Sequence, residues 1–326
     1  MKKVISVSRR TDIPAFYGEW FMKRLNAGRA GYVNPYGGQR YLVSLKREDV
    51  ICFVFWSKNF LPFIDKLKII KELGYNFYFN YTITGLPRVF EHEVETQVSI
   101  DALKQLKELY SPRHINWRYD PIVLSSRTPY EFHVENFERM ASELQGYVER
   151  CYFSYAIQYG KVKRNFEQFE KTQDILMIDP DTVTRKKLAD ELAHIAHRYG
   201  ITMYTCCGDI LVNEEIKKAR CVDGDIIEEL FHPNLELKPT PTRKGCGCTI
   251  STDIGTYDTC PHGCIYCYAN INKQKADLTR RIHDLNSAFL GYTEEESVRW
   301  EDEIHKKDVE KETTSKEQEP IQSSFF

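Results

Sequence analysis

The chain of 326 residues is long enough for one large domain, because α/β barrels of roughly 200 to 250 residues fold without splitting. Its 42% hydrophobic residues predict a globular protein with a sizeable core, while the net charge of −2 gives no bulk attraction for nucleic acid or a membrane. No uncharged stretch approaches the roughly 20 apolar residues of a membrane span, and arginines follow the opening lysines before a signal-peptide core accumulates. We therefore expect a cytoplasmic protein whose ten cysteines serve metal ligation or redox work rather than disulfides.

Short β-rich runs alternate with stretches of helical periodicity, which is the pattern of βα units around a parallel sheet. The predicted strands cover residues 4–8, 50–56, 76–81, 115–119, 151–155, 201–205 and 249–254. Apolar helical stripes precede Gly74, Pro112 and Gly200, which are the residues expected to end three helices. This alternation predicts an α/β fold in which residues 1–290 form a partial or complete TIM-like (β/α) barrel.

The carboxyl-terminal segment, residues 291–326, is predicted to be a charged and flexible tail. Its run 306–324 is rich in Lys, Glu, Ser, Thr and Gln, and it has few apolar residues whose burial would offset the entropy of ordering.

Polar residues follow several predicted strands, and in βα barrels the active site is assembled at the carboxyl ends of the strands. The catalytic candidates at these ends are Asp12, Lys58, Arg118 and Asp120. Arg118 lies between two aromatic residues and next to the Asp120-Pro sequence. This setting suits a guanidinium group that is held in place and binds a carboxylate or phosphate of the substrate. A structural ion pair between Arg118 and Asp120 is an equally good interpretation.

Three cysteines lie within eight residues near the end of the chain, in the run Cys260-Pro-His-Gly-Cys264-Ile-Tyr-Cys267. We call residues 260–267 the cysteine loop. Iron–sulfur clusters are normally held by four thiolates, so a loop with three thiolates suits a four-iron cluster in which one iron stays open. The alternative is a zinc loop that a distant thiol completes. His262 either donates to a cluster sulfur or faces solvent.

The Cys-x3-Cys-x2-Cys spacing, with an aromatic residue before the third cysteine, resembles the signature of the radical S-adenosylmethionine (radical SAM) superfamily. In that superfamily the open iron chelates the amino and carboxylate groups of S-adenosyl-L-methionine (SAM). The resemblance implies a 4Fe-4S cluster on Cys260, Cys264 and Cys267, with Tyr266 near the adenine. It also implies a low-potential electron donor and a 5′-deoxyadenosyl radical that abstracts hydrogen from an unknown substrate.

The position of the cysteine loop implies a permuted barrel. In the superfamily this loop normally follows the first strand, whereas only 59 residues (268–326) follow Cys267 here. The resemblance therefore implies a circularly permuted barrel in which strand 249–254 lies beside strand 4–8. The segment from Ser8 to Asp12 then takes the place of the Gly-Gly-Glu that often receives the SAM amino group in the superfamily. Asp12, Ser8 or a backbone carbonyl is the candidate for that contact, and Ser8, Arg9 and Arg10 are candidates for cofactor binding.

Two further resemblances support this interpretation. The chain contains three short elements in the order Thr-Asp, Ser-Lys and Asp-Pro-Ile. This order is similar to that of spore photoproduct lyase, a radical SAM enzyme of DNA repair. More closely, the sequence Ser-Arg-Arg-Thr-Asp-Ile-Pro-Ala-Phe at residues 8–16, together with the cysteine loop, resembles a bacterial family, the domain of unknown function family 1848. This second match covers residues 1 to about 290 and supplies no reaction.

Five more cysteines precede the loop, within a cysteine-rich segment that covers residues 206–267. Four of them are predicted to form an auxiliary iron–sulfur cluster, namely Cys207, Cys221, Cys246 and Cys248. Tetrahedral zinc takes the same thiolates, and buried cysteines that act as small hydrophobes are the third interpretation.

The prediction for the whole chain is an iron–sulfur, radical SAM-like enzyme. The alternative is a non-enzymatic iron–sulfur or zinc protein that acts in electron transfer or binds nucleic acid.

Overall fold

The computed structural model describes residues 2–92, 95–232, 237–240, 245–271 and 273–317, with side chains as far as residue 307. The strands are β1 Lys3–Val7, β2 Arg29–Val33, β3 Arg40–Ser44, β4 Val50–Ser57, β5 Phe77–Thr82, β6 Ile115–Ile122, β7 Leu124–Ser125, β8 Arg150–Tyr155, β9 Met177–Ile178, β10 Thr202–Thr205, β11 Ile216–Lys218 and β12 Thr252–Asp253. The α-helices are α1 Ile13–Phe16, α2 Gly18–Asn26, α3 Ile64–Glu72, α4 Thr96–Leu109, α5 Tyr130–Leu144, α6 Gly160–Gln173, α7 Thr182–Arg198, α8 Gly224–Phe231, α9 Lys273–Ile282 and α10 Glu294–Glu317.

Eight strands form one sheet in the order β11-β10-β8-β6-β5-β4-β1-β12, and every neighbouring pair is parallel. The α/β class is confirmed, and each of the seven predicted strands overlaps a strand of this sheet, the last of them only at Thr252–Asp253. The predicted adjacency of the first and last strands is also confirmed, since β1 pairs with β12 through Ile5↔Thr252 and Ser6↔Asp253. Within the described residues β11 and β12 are the two edges of the sheet, so the complete barrel is not formed there.

Each face of the sheet packs in its own hydrophobic core, because successive side chains of a strand point to opposite faces. On β5, Phe77 and Phe79 join the main core, which helices α2, α3, α4, α5 and α7 cover. Tyr78 faces the other way, into a smaller core that contains Cys221, Cys248 and residues of α8. We call this second side the cysteine-facing side of the sheet. The cysteine-rich segment therefore packs directly on the sheet.

Local signals explain the helices that the sequence predicts. Asp181 caps α7 by accepting a hydrogen bond from the backbone N–H of Thr184 at 2.7 Å, and Gly200 takes a positive φ of 71° just after the helix. Leu188 and Leu192 of that helix are fully buried. Of the helices described here, none combines the length and apolar composition needed to cross a bilayer.

The carboxyl-terminal segment is helical over part of the predicted tail, and its flexibility stays a prediction. Residues 294–317 form α10, and Trp300 is buried with its ring 5.2 Å from that of Phe289 and 4.6 Å from that of Tyr292. An ion pair of 2.8 Å also joins Glu301 to Arg29. A few apolar anchors thus hold the first turns of a highly charged helix, while residues 318–326 of the predicted tail lie outside the described residues.

Candidate metal and cofactor site

The cysteine loop packs against the segment that follows β5. The backbone N–H of His92 donates to the carbonyl of His262 at 3.1 Å, and that of Ile265 donates to the carbonyl of Phe90 at 3.0 Å. Gly263 has a φ of 68°, and a Cβ atom there would come within 2.6 Å of Cδ2 of His92. The positive φ favours glycine, and a larger residue would also require the His92 side chain to move. The loop is thus built into the domain and is not a separate appendage.

Asp12 connects the cysteine loop to the end of β4. Its Oδ2 atom lies 2.7 Å from Nε2 of His262 and accepts a 2.8 Å hydrogen bond from the backbone N–H of Lys58. Its Oδ1 atom accepts from the hydroxyl of Ser57 at 2.7 Å and from the backbone N–H of Ala15 at 2.9 Å. The carboxylate therefore positions the loop relative to the strand ends, and its catalytic role stays a prediction.

Lys58 and Glu91 form an ion pair beside the loop, with 2.8 Å between Nζ and Oε2. The hydroxyls of Thr84, at 2.6 Å, and Tyr266 also donate to Glu91. Burial alone would raise the pKa of Glu91, but Lys58 and the two hydroxyls lower it below its ordinary value. Burial would likewise lower the pKa of Lys58, but Glu91 and Cys264 raise it. Both members of the pair therefore stay charged at neutral pH.

The three loop thiols are partly buried, and their surroundings disfavour thiolates. Burial raises the pKa of Cys264 to about 12, although nearby Lys58 acts in the opposite direction. Burial also raises the pKa values of Cys260 and Cys267, and the charge of Asp12 adds to the effect at Cys260. Metal ligation needs thiolates, so metal binding at the loop must release protons.

The predicted cofactor-binding residues Ser8, Arg9 and Arg10 come together on Asp253. The hydroxyl of Ser8 donates to Oδ1 at 2.6 Å, and the backbone N–H of Arg9 donates to Oδ2 at 2.8 Å. The guanidinium groups of Arg9 and Arg10 approach the same carboxylate at 3.6 and 3.9 Å. These contacts join β1 to β12, while a direct contact of the three residues with a cofactor stays a prediction.

Arg118 and Asp120 form a buried ion pair, which is the structural alternative that the sequence left open. Nη1 of Arg118 donates to Sγ of Cys221 at 3.4 Å, and its guanidinium lies 5.1 Å from the ring centre of Trp56. Burial would lower the pKa of Arg118, but Asp120 and Cys221 raise it well above its ordinary value. Within the described parts of the chain, hydrogen bonds and ion pairs connect this pair to Cys221 and not to the cysteine loop.

The other cysteine set also assembles in space, on the cysteine-facing side of the sheet. We call Cys206, Cys207, Cys221, Cys246 and Cys248 the second cysteine group. The sulfurs of Cys206 and Cys221 are 3.3 Å apart. The backbone N–H of Cys248 donates to Sγ of Cys246 at 3.4 Å. Cys206, which the prediction omitted, is therefore the residue whose thiol contacts that of the predicted ligand Cys221.

Buried polar atoms without a hydrogen-bond partner mark the surroundings of the cysteine loop. Among the described residues they include Nδ1 of His262, Oδ1 of Asn270 and Oγ1 of Thr11. Polar atoms of this kind are free to hydrogen-bond with a ligand or with water. A ligand with an amino group and a carboxylate offers both donors and acceptors to them, so these atoms and the three thiols fit a cluster with bound SAM. As they stand, no three His, Cys, Asp or Glu side chains in the described ranges converge on one ion.

Sequence reasoning missed Glu91 and Asp253 as members of the site. Glu91 lies in an irregular segment after β5 with no motif around it, so its pairing with Lys58 is visible only in three dimensions. Asp253 ends the short strand β12, and the rule that polar residues follow strands could have identified it.

The comparisons with known proteins identify one family. No curated protein and no solved structure matches the chain. The family described as "Domain of unknown function (DUF1848)" matches residues 4–269, which include β1, the second cysteine group and the whole cysteine loop. Because this match spans most of the sequence, the chain belongs to the DUF1848 family.

Proposed function

We propose that this protein is a radical SAM-like enzyme that holds a 4Fe-4S cluster on Cys260, Cys264 and Cys267 and cleaves SAM reductively. The observation that carries the proposal is the position of the cysteine loop at the carboxyl ends of β1 and β4. There His262 contacts Asp12, which in turn accepts from the backbone of Lys58. Ligands of parallel α/β sheets bind at this end of the strands.

The strand order supports a circularly permuted, partial barrel. Counted from β12, the sheet begins with the strand that leads into the cysteine loop and continues through β1, β4, β5, β6, β8, β10 and β11 in chain order. This is the order expected if the first strand of a radical SAM-type barrel had been moved to the end of the chain. Chain termini that lie close together make such a rearrangement physically simple.

When bound, the cluster and SAM supply one-electron cleavage and a 5′-deoxyadenosyl radical for hydrogen abstraction. The chain's own residues hold and orient these groups. Lys58, kept charged by Glu91, places a cation near Cys264 and offsets the negative charge of the ligated thiolates. Oδ1 of Asn270 and Nδ1 of His262 are unpartnered, and the amide oxygen is an acceptor available to the amino group of SAM. Tyr266 is the proposed neighbour of the adenine.

In this proposal the substrate binds on the side of the site that lies towards β6. Arg118 and Asp120 lie further along the sheet, on β6, where a charged pair can orient a polar substrate. Ser8, Arg9 and Arg10 shape the wall between β1 and β12 through Asp253. A low-potential electron donor is the implied partner, and the substrate remains open.

Anaerobic reconstitution tests the proposal. Protein supplied with iron and sulfide should turn brown and bind about four irons at the loop. With SAM and dithionite it should form 5′-deoxyadenosine. The variant with Cys260→Ala, Cys264→Ala and Cys267→Ala should lose both properties, whereas Cys151→Ala, which changes a buried thiol of β8, should keep them.

Two outcomes contradict the enzyme assignment. Zinc at the loop without an iron spectrum after reconstitution would make the loop a zinc site. A bound cluster that never yields 5′-deoxyadenosine would favour the electron-transfer alternative.

A further inference from the structure

A cavity of about 370 Å³ lies outside the site described above. Its walls come from α1 and the start of α2, from the chain that follows β4, and from α9 with the residues just after it. Binding sites for small molecules usually measure roughly 300 to 1,000 Å³. The cavity is therefore large enough for a small organic ligand, and no cysteine lines it.

Much of the cavity wall is apolar. Pro14 and Phe16 line it from α1, Pro62 lines it from the segment after β4, and Leu285 follows α9. The side chain of Leu285 is 41% exposed, so part of this apolar surface is open to a ligand. Sites for small molecules are mostly apolar, with a few polar groups that fix the orientation of the ligand.

Arg280 supplies a cation to the cavity. Its guanidinium lies 5.3 Å from the ring centre of Phe16, and among the described residues it has no ion pair with a carboxylate. The other cation in the lining, Lys66, is paired with Glu19 at 2.8 Å. One positive charge is therefore left for a ligand, and a guanidinium prefers a carboxylate or a phosphate.

His283 supplies a neutral hydrogen-bond donor to the same cavity. The backbone N–H of Gly291 donates to Nδ1 of His283 at 3.2 Å, and burial lowers the pKa of this imidazole to about 4. The ring is therefore neutral at pH 7 and carries its proton on Nε2. Within the described residues Nε2 has no hydrogen-bond partner, so its N–H is free to donate to a ligand.

We propose that this cavity binds a small aromatic carboxylate, with the carboxylate on Arg280 and the aromatic ring against Phe16 and Pro62. The unpaired cation accounts for the charge of the ligand, and the prolines and the phenylalanine account for its flat apolar part. The inference goes beyond the proposed enzyme and does not depend on it. None of the residues assigned to the cluster or to SAM lines the cavity.

The cavity is a close neighbour of the cysteine loop. The ring of Phe16 packs edge-on against that of His262, with 4.7 Å between the ring centres. The hydroxyl of Tyr17, which also lines the cavity, donates to the carbonyl of Thr259 at 2.6 Å, directly before Cys260. A bound carboxylate would therefore contact two residues that also hold the cysteine loop.

The test measures the binding of naphthoate to the full-length protein at pH 7, by saturation-transfer NMR and calorimetry. Naphthoate should bind with a Kd of about 1 mM or lower, and naphthamide, which lacks the charge, should bind at least about tenfold more weakly. Arg280→Gln should weaken naphthoate binding by about tenfold or more. Arg281→Gln is the matched control, because Arg281 is an exposed neighbour on α9 that does not line the cavity.

Leu285→Trp tests the location of the ligand with Arg280 left in place. The larger side chain should fill the cavity and abolish binding of both probes. Because Leu285 is partly exposed, the substitution does not overpack the core, and an unchanged thermal midpoint checks that the variant is folded.

Several results would overturn the proposal. Absence of naphthoate binding at about 10 mM would remove the site. Equal affinity of Arg280→Gln and Arg281→Gln for naphthoate, or equal affinity of the wild type for both probes, would remove the role of the cation. Binding that Leu285→Trp leaves unchanged would place the ligand elsewhere. The probes need neither cluster nor SAM, so failure of the proposed radical chemistry leaves this test unaffected.

Discussion

Ser6 and Asp253 are 247 positions apart in the chain, yet the hydroxyl of Ser6 donates to the carboxylate of Asp253 at 2.8 Å. The same carboxylate accepts from the hydroxyl of Ser8 and from the backbone of Arg9. All these contacts lie where β1 and β12 run side by side. Asp253 thus joins the first strand of the chain to the strand that leads into the cysteine loop.

Replacing Asp253 by alanine should destabilise the protein by about 3 kcal/mol, because it leaves buried hydroxyls and a backbone N–H without an acceptor. Guanidinium denaturation measures this as a lower transition midpoint. Asp225→Ala is the control, since the Asp225 side chain is 81% exposed and bonds only at the surface with Arg220. Equal midpoints for the two variants would contradict the role of Asp253.

Gly263→Ala should reduce iron binding at the cysteine loop. The new Cβ atom would lie 2.6 Å from Cδ2 of His92, and the positive φ adds backbone strain of about 1 kcal/mol. The measurement is iron content after anaerobic reconstitution. Gly38→Ala is the matched control, because Gly38 has the same φ of 68° and open space around its Cα atom. Retention of full iron by Gly263→Ala would show that the loop tolerates a shift at this residue.

Glu91→Gln should lower the free energy of unfolding by about 3 kcal/mol near pH 7, because it leaves the Lys58 cation without its counter-charge in a buried position. Folding lowers the pKa of Glu91, so its contribution is present above its ordinary pKa of about 4.3 and is lost as the pH falls through the lowered value. Folding raises the pKa of Lys58, so its contribution persists up to its ordinary value of about 10.4 and is lost only above that.

Denaturation curves from pH 3 to pH 10 check the Glu91 prediction. The difference in the free energy of unfolding between wild type and Glu91→Gln should become smaller at acid pH. The exposed pair of Arg198 and Glu138 supplies a control, and Glu138→Gln should change stability little at any pH. A difference in the free energy of unfolding that stays constant down to pH 3 would contradict the charged state assigned to Glu91.

Trp300→Ala should lower stability by about 3 kcal/mol, since the ring is buried against Phe289 and Tyr292. Truncation after residue 317 should leave the thermal midpoint unchanged, whereas truncation after residue 293 should lower it at least as much as Trp300→Ala. Thermal melts of the three proteins make the comparison. If all three proteins keep the thermal midpoint of the wild type, the carboxyl-terminal segment behaves as the tail that the sequence predicts.

The sheet was predictable because its signals are local. Alternating β-rich runs and helical stripes define seven strands, and the adjacency of β1 and β12 follows from the need to place the cysteine loop on a sheet. The hairpin of β2 and β3 was not predicted, because its turn lacks an Asn-Gly or Asp-Gly pair. Helix α10 was missed because one buried residue, Trp300, anchors an otherwise polar sequence.

The candidate site was predictable only where spacing along the chain defines it. The three loop cysteines lie within eight residues of the chain. The partners of Lys58 and Ser8 come from distant segments, and their pairing depends on how loops pack, which no local pattern encodes. For the same reason Cys206 was left out, although it lies 3.3 Å from Cys221.

The parallel pairing of β1 with β12 also affects the order in which the chain can fold during synthesis. The ribosome releases β1 first, and β4 can cover one edge of it early. The other edge waits for β12, about 250 residues later, which at roughly 5–20 residues per second corresponds to tens of seconds or less. An unpaired strand edge invites association with other chains. Ile5 and Ser6, which pair with Thr252 and Asp253, therefore keep an unpaired edge until the end of β12 has been synthesised.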